Sequence, residues 1–218
     1  MANFERNLKI IEAHNSKEGV SYTMALNEFA DMSRDQLKNM RSGSVVNDTD
    51  PVSVEPALQP DAMAEMMGIR DDEELPLHFD WRDSRPECIT RVKSQKDCAS
   101  CYAFGGIAAL ESHYCIYSGE RVEFSEQQAL DCTMRKPYDN GGCVGGRVHA
   151  IFHYAATFGY LCEEESYPYR VESEQERCSE KYCKNYRYVG DLLYPPYHIR
   201  LPNRDVNAIK RVRLDFIL

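Results

Sequence analysis

The sequence predicts a chain of the α+β class in which helices carry most of the structure. Two observations lead there. Apolar and capping residues recur at helical spacing in several separate stretches, each closed by a glycine or a polar turn. Hydrophobic residues make up 43% of the 218, enough to bury a core, so disorder throughout the chain is not expected.

The elements follow in order. Residues 1–43 read as helical and carry no cysteine. Phe4, Asn7, Ile11 and Asn15 recur at spacings of three and four, which puts them on one helix face. Ser33-Arg34-Asp35-Gln36 is a capping box that opens a second short helix, with Gly43 as its stop. Residues 44–74 read as a linker. They hold Pro51, Pro56 and Pro60, an acidic run at Asp71-Asp72-Glu73-Glu74, and an N-glycosylation sequon at Asn47-Asp48-Thr49. From Leu75 the composition changes: every cysteine, the single tryptophan (Trp81) and most tyrosines follow. A helix is expected from about Cys101 to Ser118, stopped by Gly119. Ser125-Glu126-Gln127-Gln128 caps another, and a third runs from Gly146 to about Phe158, stopped by Gly159. Beyond Tyr160 the pattern loosens into loops, and a last helix starts at Asp205. This gives three parts, 1–43, 44–74 and 75–218.

A net charge of −9 argues against nucleic-acid binding, which needs clustered Lys and Arg to displace counterions. No apolar run is long enough to span a membrane. Nine cysteines, an odd number, invite four disulfides and one free thiol. Dense pairing implies an oxidising compartment. Yet Met1-Ala2-Asn3-Phe4-Glu5-Arg6 opens directly into a charged helical pattern with no signal peptide. The expectation is an incomplete N-terminus.

Chemistry concentrates in Gln95-Lys96-Asp97-Cys98-Ala99-Ser100-Cys101-Tyr102-Ala103-Phe104. Cys101 opens the expected helix, where free N–H groups and the macrodipole stabilise an anion. That placement favours thiolate, the reactive species. Gln95, six residues upstream on a loop, offers an amide to a developing oxyanion, together with the Cys101 N–H. Two other readings stay open on spacing alone. Cys98-x-x-Cys101 also fits a redox pair or half of a zinc site.

This stretch resembles the active-site segment of the papain and cathepsin family of cysteine peptidases. Further stretches are similar to family landmarks in the family's order. They are Leu75-Pro76 with Phe79-Asp80-Trp81-Arg82, Ser125-Glu126-Gln127 with Asp131-Cys132, Gly141 to Gly146, and Glu165-Ser166-Tyr167-Pro168-Tyr169. Phe4, Asn7, Ile11 and Asn15 resemble the second half of the ERFNIN helix of cathepsin L-type propeptides. Asn27-x-Phe29-x-Asp31 resembles the motif that follows, with Ala25 where glycine is usual.

The resemblance implies a papain-like α+β fold, of which this chain holds a partial helical propeptide and the helical half of the catalytic domain, with the β-barrel half largely missing. It implies Cys101 as nucleophile and Gln95 as oxyanion donor. Gly145 and Gly146 would pair with substrate backbone where a missing Cβ lets an extended peptide approach, and Arg147 and Val148 fall near the specificity pocket. It also implies the disulfides Cys98–Cys143, Cys132–Cys178, Cys88–Cys115 and Cys162–Cys183, leaving Cys101 free. The expected partners are a peptide or protein substrate and the chain's own propeptide, which in this family lies along the cleft in reverse and blocks it. A lysosomal or secreted location follows by resemblance, and no cofactor or metal is expected. Tyr102 replaces the common Trp, Lys96-Asp97 replaces a small pair containing Gly, and Ala99 replaces Gly.

Such a peptidase needs a histidine beside the sulfur and an asparagine to orient it, about 130–150 residues downstream of the nucleophile. From Cys101 that count passes residue 218, so this polypeptide is expected to turn over substrate poorly. His149 and His153, four apart on the third helix, suggest a metal site, but histidines packed near the surface are the favoured reading. His14, His78, His113 and His198 have no good claim to the catalytic role. The alternative function is a non-catalytic inhibitor resembling a cathepsin propeptide.

Overall fold

The computed structural model describes residues 2–41, 76–172, 178, 180–190 and 206. The chain divides into two compact units, Met1–Ser42 and Gly43–Leu218.

In the first unit, α1 (Ala2–Asn15) and α2 (Arg34–Arg41) flank a returning stretch of chain. No residue of α1 is buried, so amide side chains rather than an apolar core hold that stretch. Asn7 Nδ2 donates to the carbonyls of Ala30 at 2.8 Å and Met32 at 3.2 Å. Asn15 reads the Met24 backbone in both directions: its Nδ2 donates to the carbonyl and its Oδ1 accepts the N–H, each at 2.8 Å. The helix face seen in the sequence is therefore a row of backbone staples. The capping box forms as expected, with Gln36 N–H donating to Ser33 Oγ at 3.2 Å and Ser33 N–H to Gln36 Oε1 at 2.8 Å. Gly43, the 44–74 linker with its sequon and the helix expected from Asp205 lie outside the described residues, apart from Val206, which is helical.

The second unit runs α3 (Trp81–Ser84), a 3-10 turn (Pro86–Cys88), α4 (Cys101–Ser118), α5 (Glu126–Cys132), a 3-10 turn (Gly142–Val144), α6 (Val148–Phe158), β1 (Tyr160–Cys162), a 3-10 turn (Glu180–Tyr182) and β2 (Tyr186–Tyr188). The central helix α4 spans the residues expected. Gly119 takes φ 75° and returns its N–H to the Cys115 carbonyl, a conformation glycine reaches at no steric cost. Ser125 Oγ accepts the Gln128 N–H at 2.9 Å and starts α5.

Two expectations need correction. The third helix, α6, begins at Val148 rather than Gly146, because Asn140 Oδ1 accepts the Arg147 N–H at 2.8 Å and Arg147 is extended at φ −125°, ψ 133°. The stretch beyond Tyr160 is not all loop. β1 and β2 pair antiparallel, Tyr160 opposite Tyr188 and Cys162 opposite Tyr186. Strands of three residues are too short for alternation to register in the sequence.

Helices α4, α5 and α6 meet around Ile107, Leu110, Leu130, Ile151 and Leu161, all buried. A Cβ built on Gly106 would lie 3.0 Å from Ile151 Cβ, so the glycine lets α4 and α6 approach closely. The buried Gln128 amide is paired at both ends. Gln128 Nε2 donates to the Tyr154 hydroxyl at 3.1 Å, and its Oε1 accepts the Cys162 N–H at 2.8 Å. Disulfides join Cys88–Cys115, Cys98–Cys143, Cys132–Cys178 and Cys162–Cys183 across separations of 21 to 46 residues. Loop closure of this length is worth about 2–4 kcal/mol per bridge. No helix among the described residues is long and apolar enough to cross a membrane.

Candidate active site

Cys101 is the first residue of α4, half-buried, and the free cysteine of the chain. The loop before it is tied down on three sides. Cys98 is bonded to Cys143, and Ala99 N–H donates to the Cys143 carbonyl at 3.1 Å. Gln95 Nε2 donates to the Cys98 carbonyl at 2.8 Å. An amide has two N–H donors, so one remains after that bond. The disulfide closes the other readings of Cys98-x-x-Cys101. Cys98 is committed to Cys143, so it neither forms a redox pair with Cys101 nor offers a thiolate to zinc.

Tyr102, which follows the nucleophile, is buried, and burial pushes its phenol well above the ordinary range. It keeps its proton and donates to the Gly142 carbonyl at 3.1 Å. This bond joins α4 to the glycine loop. In that loop Gly141 N–H donates to the Gly145 carbonyl at 2.8 Å, and Gly145 stands at φ 134°, a region L side chains rarely adopt. A Cβ on Gly146 would sit 2.6 Å from Asn140 Oδ1 and 2.7 Å from Tyr102 Cε2, so internal packing demands glycine there. Arg147 occupies the N-cap position of α6 and is half-buried, while Val148 is exposed and faces Gly105. Lys96, where the resemblance leads to a small residue, takes φ 51°.

Three buried charges lie in the same unit. Lys93 Nζ donates to Glu111 Oε1 and to Glu126 Oε1, each at 2.6 Å. Burial alone would lower the Lys93 pKa, but the two carboxylates outweigh it and hold the ammonium above its ordinary value. Burial raises Glu126, with Lys93 opposing. Glu111 also accepts from Thr90 Oγ1 and the Phe124 N–H, both at 2.8 Å. Nearby, burial pushes Glu164 up to about 7. Its Oε1 accepts the Tyr169 N–H at 2.9 Å, and its Oε2 has no hydrogen-bond partner among the described residues.

Sequence reasoning missed Tyr169. Its hydroxyl donates to the Gln95 carbonyl at 2.8 Å and lies 2.7 Å from Ser100 Oγ. Its ring stands edge-on to Phe104, 4.9 Å between centroids. The Tyr167-Pro168-Tyr169 landmark marked the residue but not this role. Tyr167, its neighbour, donates to Asp131 Oδ2 at 3.0 Å.

The histidines sit as follows. His14 Nε2 meets the Tyr22 carbonyl at 3.1 Å in the first unit. His78 lies 3.7 Å from Asp83. His113 is midway along α4, and burial lowers its pKa. His153 of α6 stands edge-on to Tyr138, and His149 precedes it by one turn. His198 lies outside the described residues.

Residues 75–210 match the model of the papain family cysteine proteases, and residues 1–37 match the cathepsin propeptide inhibitor domain. Cysteine endopeptidase Rep1 of Oryza sativa subsp. japonica is 36% identical over 168 residues, 77% of this chain and 43% of the rice protein. Cathepsin L2 of Homo sapiens is 34% identical over 183 residues, 78% of this chain and 47% of the human one. Among solved structures, the proform of the ragweed pollen allergen Amb a 11 superposes with a TM-score of 0.68 at 30% identity, over 86% of this chain and 49% of that one. Digestive procathepsin L2 from Tenebrio molitor gives 0.69 at 30%, over 84% and 57%. The chain spans about half the length of the relatives it matches. With both family models matched in order and proforms among its structural neighbours, the chain belongs to the papain family of cysteine proteases.

Proposed function

We propose that this chain carries the nucleophile-bearing half of a cysteine endopeptidase in zymogen form. One observation supports this above all: eight cysteines are in disulfides, and the ninth, Cys101, is left as a free thiol at the first position of a long helix. The Cys101 thiolate attacks a peptide carbonyl carbon. The remaining N–H of Gln95 and the Cys101 N–H receive the developing oxyanion. The C–N bond then breaks, the amine leaves with a proton, and water hydrolyses the thioester. Gly145, Gly146, Arg147 and Val148 form the substrate-facing wall, and residues 1–43 act as an inhibitory propeptide. Four disulfides favour a lysosomal or secreted setting.

The amine needs a proton donor, and an imidazole is the group suited to it. His14, His78 and His153 face Tyr22, Asp83 and Tyr138. Acylation by an amide releases the amine in the same step, so a 218-residue polypeptide without an imidazole at the sulfur is expected to turn over amides slowly. A fluorogenic dipeptide amide tests this. Robust cleavage that vanishes in Cys101→Ser would show that an imidazole already serves the thiol. A second reading, a non-catalytic inhibitor, draws on the first unit, which the Asn7 and Asn15 staples hold together by itself. Nanomolar inhibition of a cathepsin L-type enzyme by residues 1–74, without any Cys101 chemistry in the full chain, would favour it.

A further inference from the structure

Gln128 Oε1 accepts the Cys162 N–H at 2.8 Å, and this fixes which way the amide faces. Its nitrogen is the atom beside Tyr154, where it donates to the hydroxyl at 3.1 Å. The Tyr154 oxygen is therefore an acceptor in that bond, and its own O–H proton is left to give. No acceptor meets that proton among the described residues. Tyr154 is 3% exposed, and burial holds its phenol well above the ordinary range, so the proton stays on. A buried donor without an acceptor is destabilising unless something else supplies one.

Tyr154 and Gln128 both line a cavity of about 340 Å³ whose walls come from α5, α6 and β1, within the size range of small-ligand pockets. Stacked rings form one wall. Phe158 lies on Tyr154 at 5.2 Å and 20°, and Tyr160 follows 4.7 Å from Phe158. The disulfides Cys132–Cys178 and Cys162–Cys183 border the cavity and brace it covalently. Arg135 brings a positive charge to the lining, held there by its bond to the Cys178 carbonyl at 3.2 Å. No carboxylate stands in the lining among the described residues. An open donor, a positive charge and stacked rings suit a flat apolar body that carries an anionic acceptor.

We propose that this cavity binds a small aromatic carboxylate. A carboxylate oxygen accepts the Tyr154 O–H, Arg135 supplies the attracting charge, and the ligand's ring packs against Phe158 and Tyr160. Neither Cys101 nor Gln95 lines the cavity, so the proposal stands apart from the reading of Cys101 as nucleophile.

The probe is phenylacetate, titrated into the folded, disulfide-intact chain at about pH 7 and followed by NMR. Saturable binding is expected with a Kd of about 1 mM or below, with nuclear Overhauser contacts from its ring protons to Phe158 and Tyr160. 2-Phenylethylamine keeps the ring but replaces the acceptor with a cationic donor. It is expected to bind the wild-type chain at least about tenfold more weakly. Tyr154→Phe keeps the ring and loses the O–H, and should weaken phenylacetate about tenfold. Arg135→Gln should weaken it about two- to fivefold, as befits an exposed charge. Circular dichroism checks that both variants are folded. Should Tyr154→Phe fail to fold, the two probes on the wild type and Arg135→Gln decide. Absence of saturable binding up to about 10 mM overturns the proposal and leaves water as the acceptor for Tyr154. Equal affinity for the two probes, or full affinity in folded Tyr154→Phe, overturns it as well.

Discussion

Replacing Glu164 by glutamine should change how stability depends on pH. The Glu164 carboxyl is pushed from an ordinary 4.5 to about 7 by burial, with one oxygen bonded to the Tyr169 N–H and the other unpartnered. The native state therefore holds a proton that the unfolded chain has lost between these pH values. Stability falls as the pH rises from about 4.5 through 7 and is level above that. At about 1.4 kcal/mol per pH unit the span sets an upper limit of roughly 3.5 kcal/mol. The residue is only part-buried, and solvent screening brings the expected change to about 1–2 kcal/mol. Glutamine mimics the protonated acid and keeps an acceptor for the Tyr169 N–H. Its new N–H₂ adds an offset that does not vary with pH, so the slope is the test. Urea midpoints of wild type and Glu164→Gln should change in parallel below pH 4.5. From there to pH 8 the variant should gain about 1–2 kcal/mol on the wild type. Parallel profiles across the whole range would refute the argument. A positive outcome would also fit a protein that works in an acidic compartment.

Three other substitutions test the packing around the site. Lys93→Met leaves Glu111 and Glu126 buried without their cation and should cost about 3–5 kcal/mol at pH 7 by urea unfolding; a loss under about 1 kcal/mol would contradict the triad. Lys96→Gly relieves a left-handed backbone at φ 51° and should stabilise the folded chain by about 1 kcal/mol in the same measurement, less the added freedom of the unfolded glycine. Gly146→Ala drives a Cβ into Asn140 and Tyr102 and should cost about 1–3 kcal/mol, with a changed fluorescence or near-UV signal from the buried tyrosine.

Much of the helical frame was legible in the sequence, because its signals are local. Gly119 and Gly159 stop α4 and α6 in left-handed conformations, and Ser33 and Ser125 cap their helices within three residues. The start of α6 was misjudged because a side chain seven residues away, Asn140, holds Arg147 extended. Spacing alone left Cys98 with three readings, which only its long-range bond to Cys143 separates. The supports of the site were harder to see. Lys93 meets carboxylates 18 and 33 residues away, and Tyr169 meets Ser100 across 69. Contacts at such separations leave no periodic trace. The Gly146 position was marked, but the Asn140 and Tyr102 side chains against it needed the packed structure.

Acylation by an activated ester reads the nucleophilicity of Cys101 with no leaving amine to protonate. The folded chain is treated with a p-nitrophenyl ester of a blocked dipeptide, and the intact mass and peptide map are read. One acyl group per chain is expected, on Cys101, absent from Cys101→Ser and accumulating where its hydrolysis is slow. Acyl groups scattered over lysines, or a Cys101 that stays unmodified while nitrophenol is released, would contradict it.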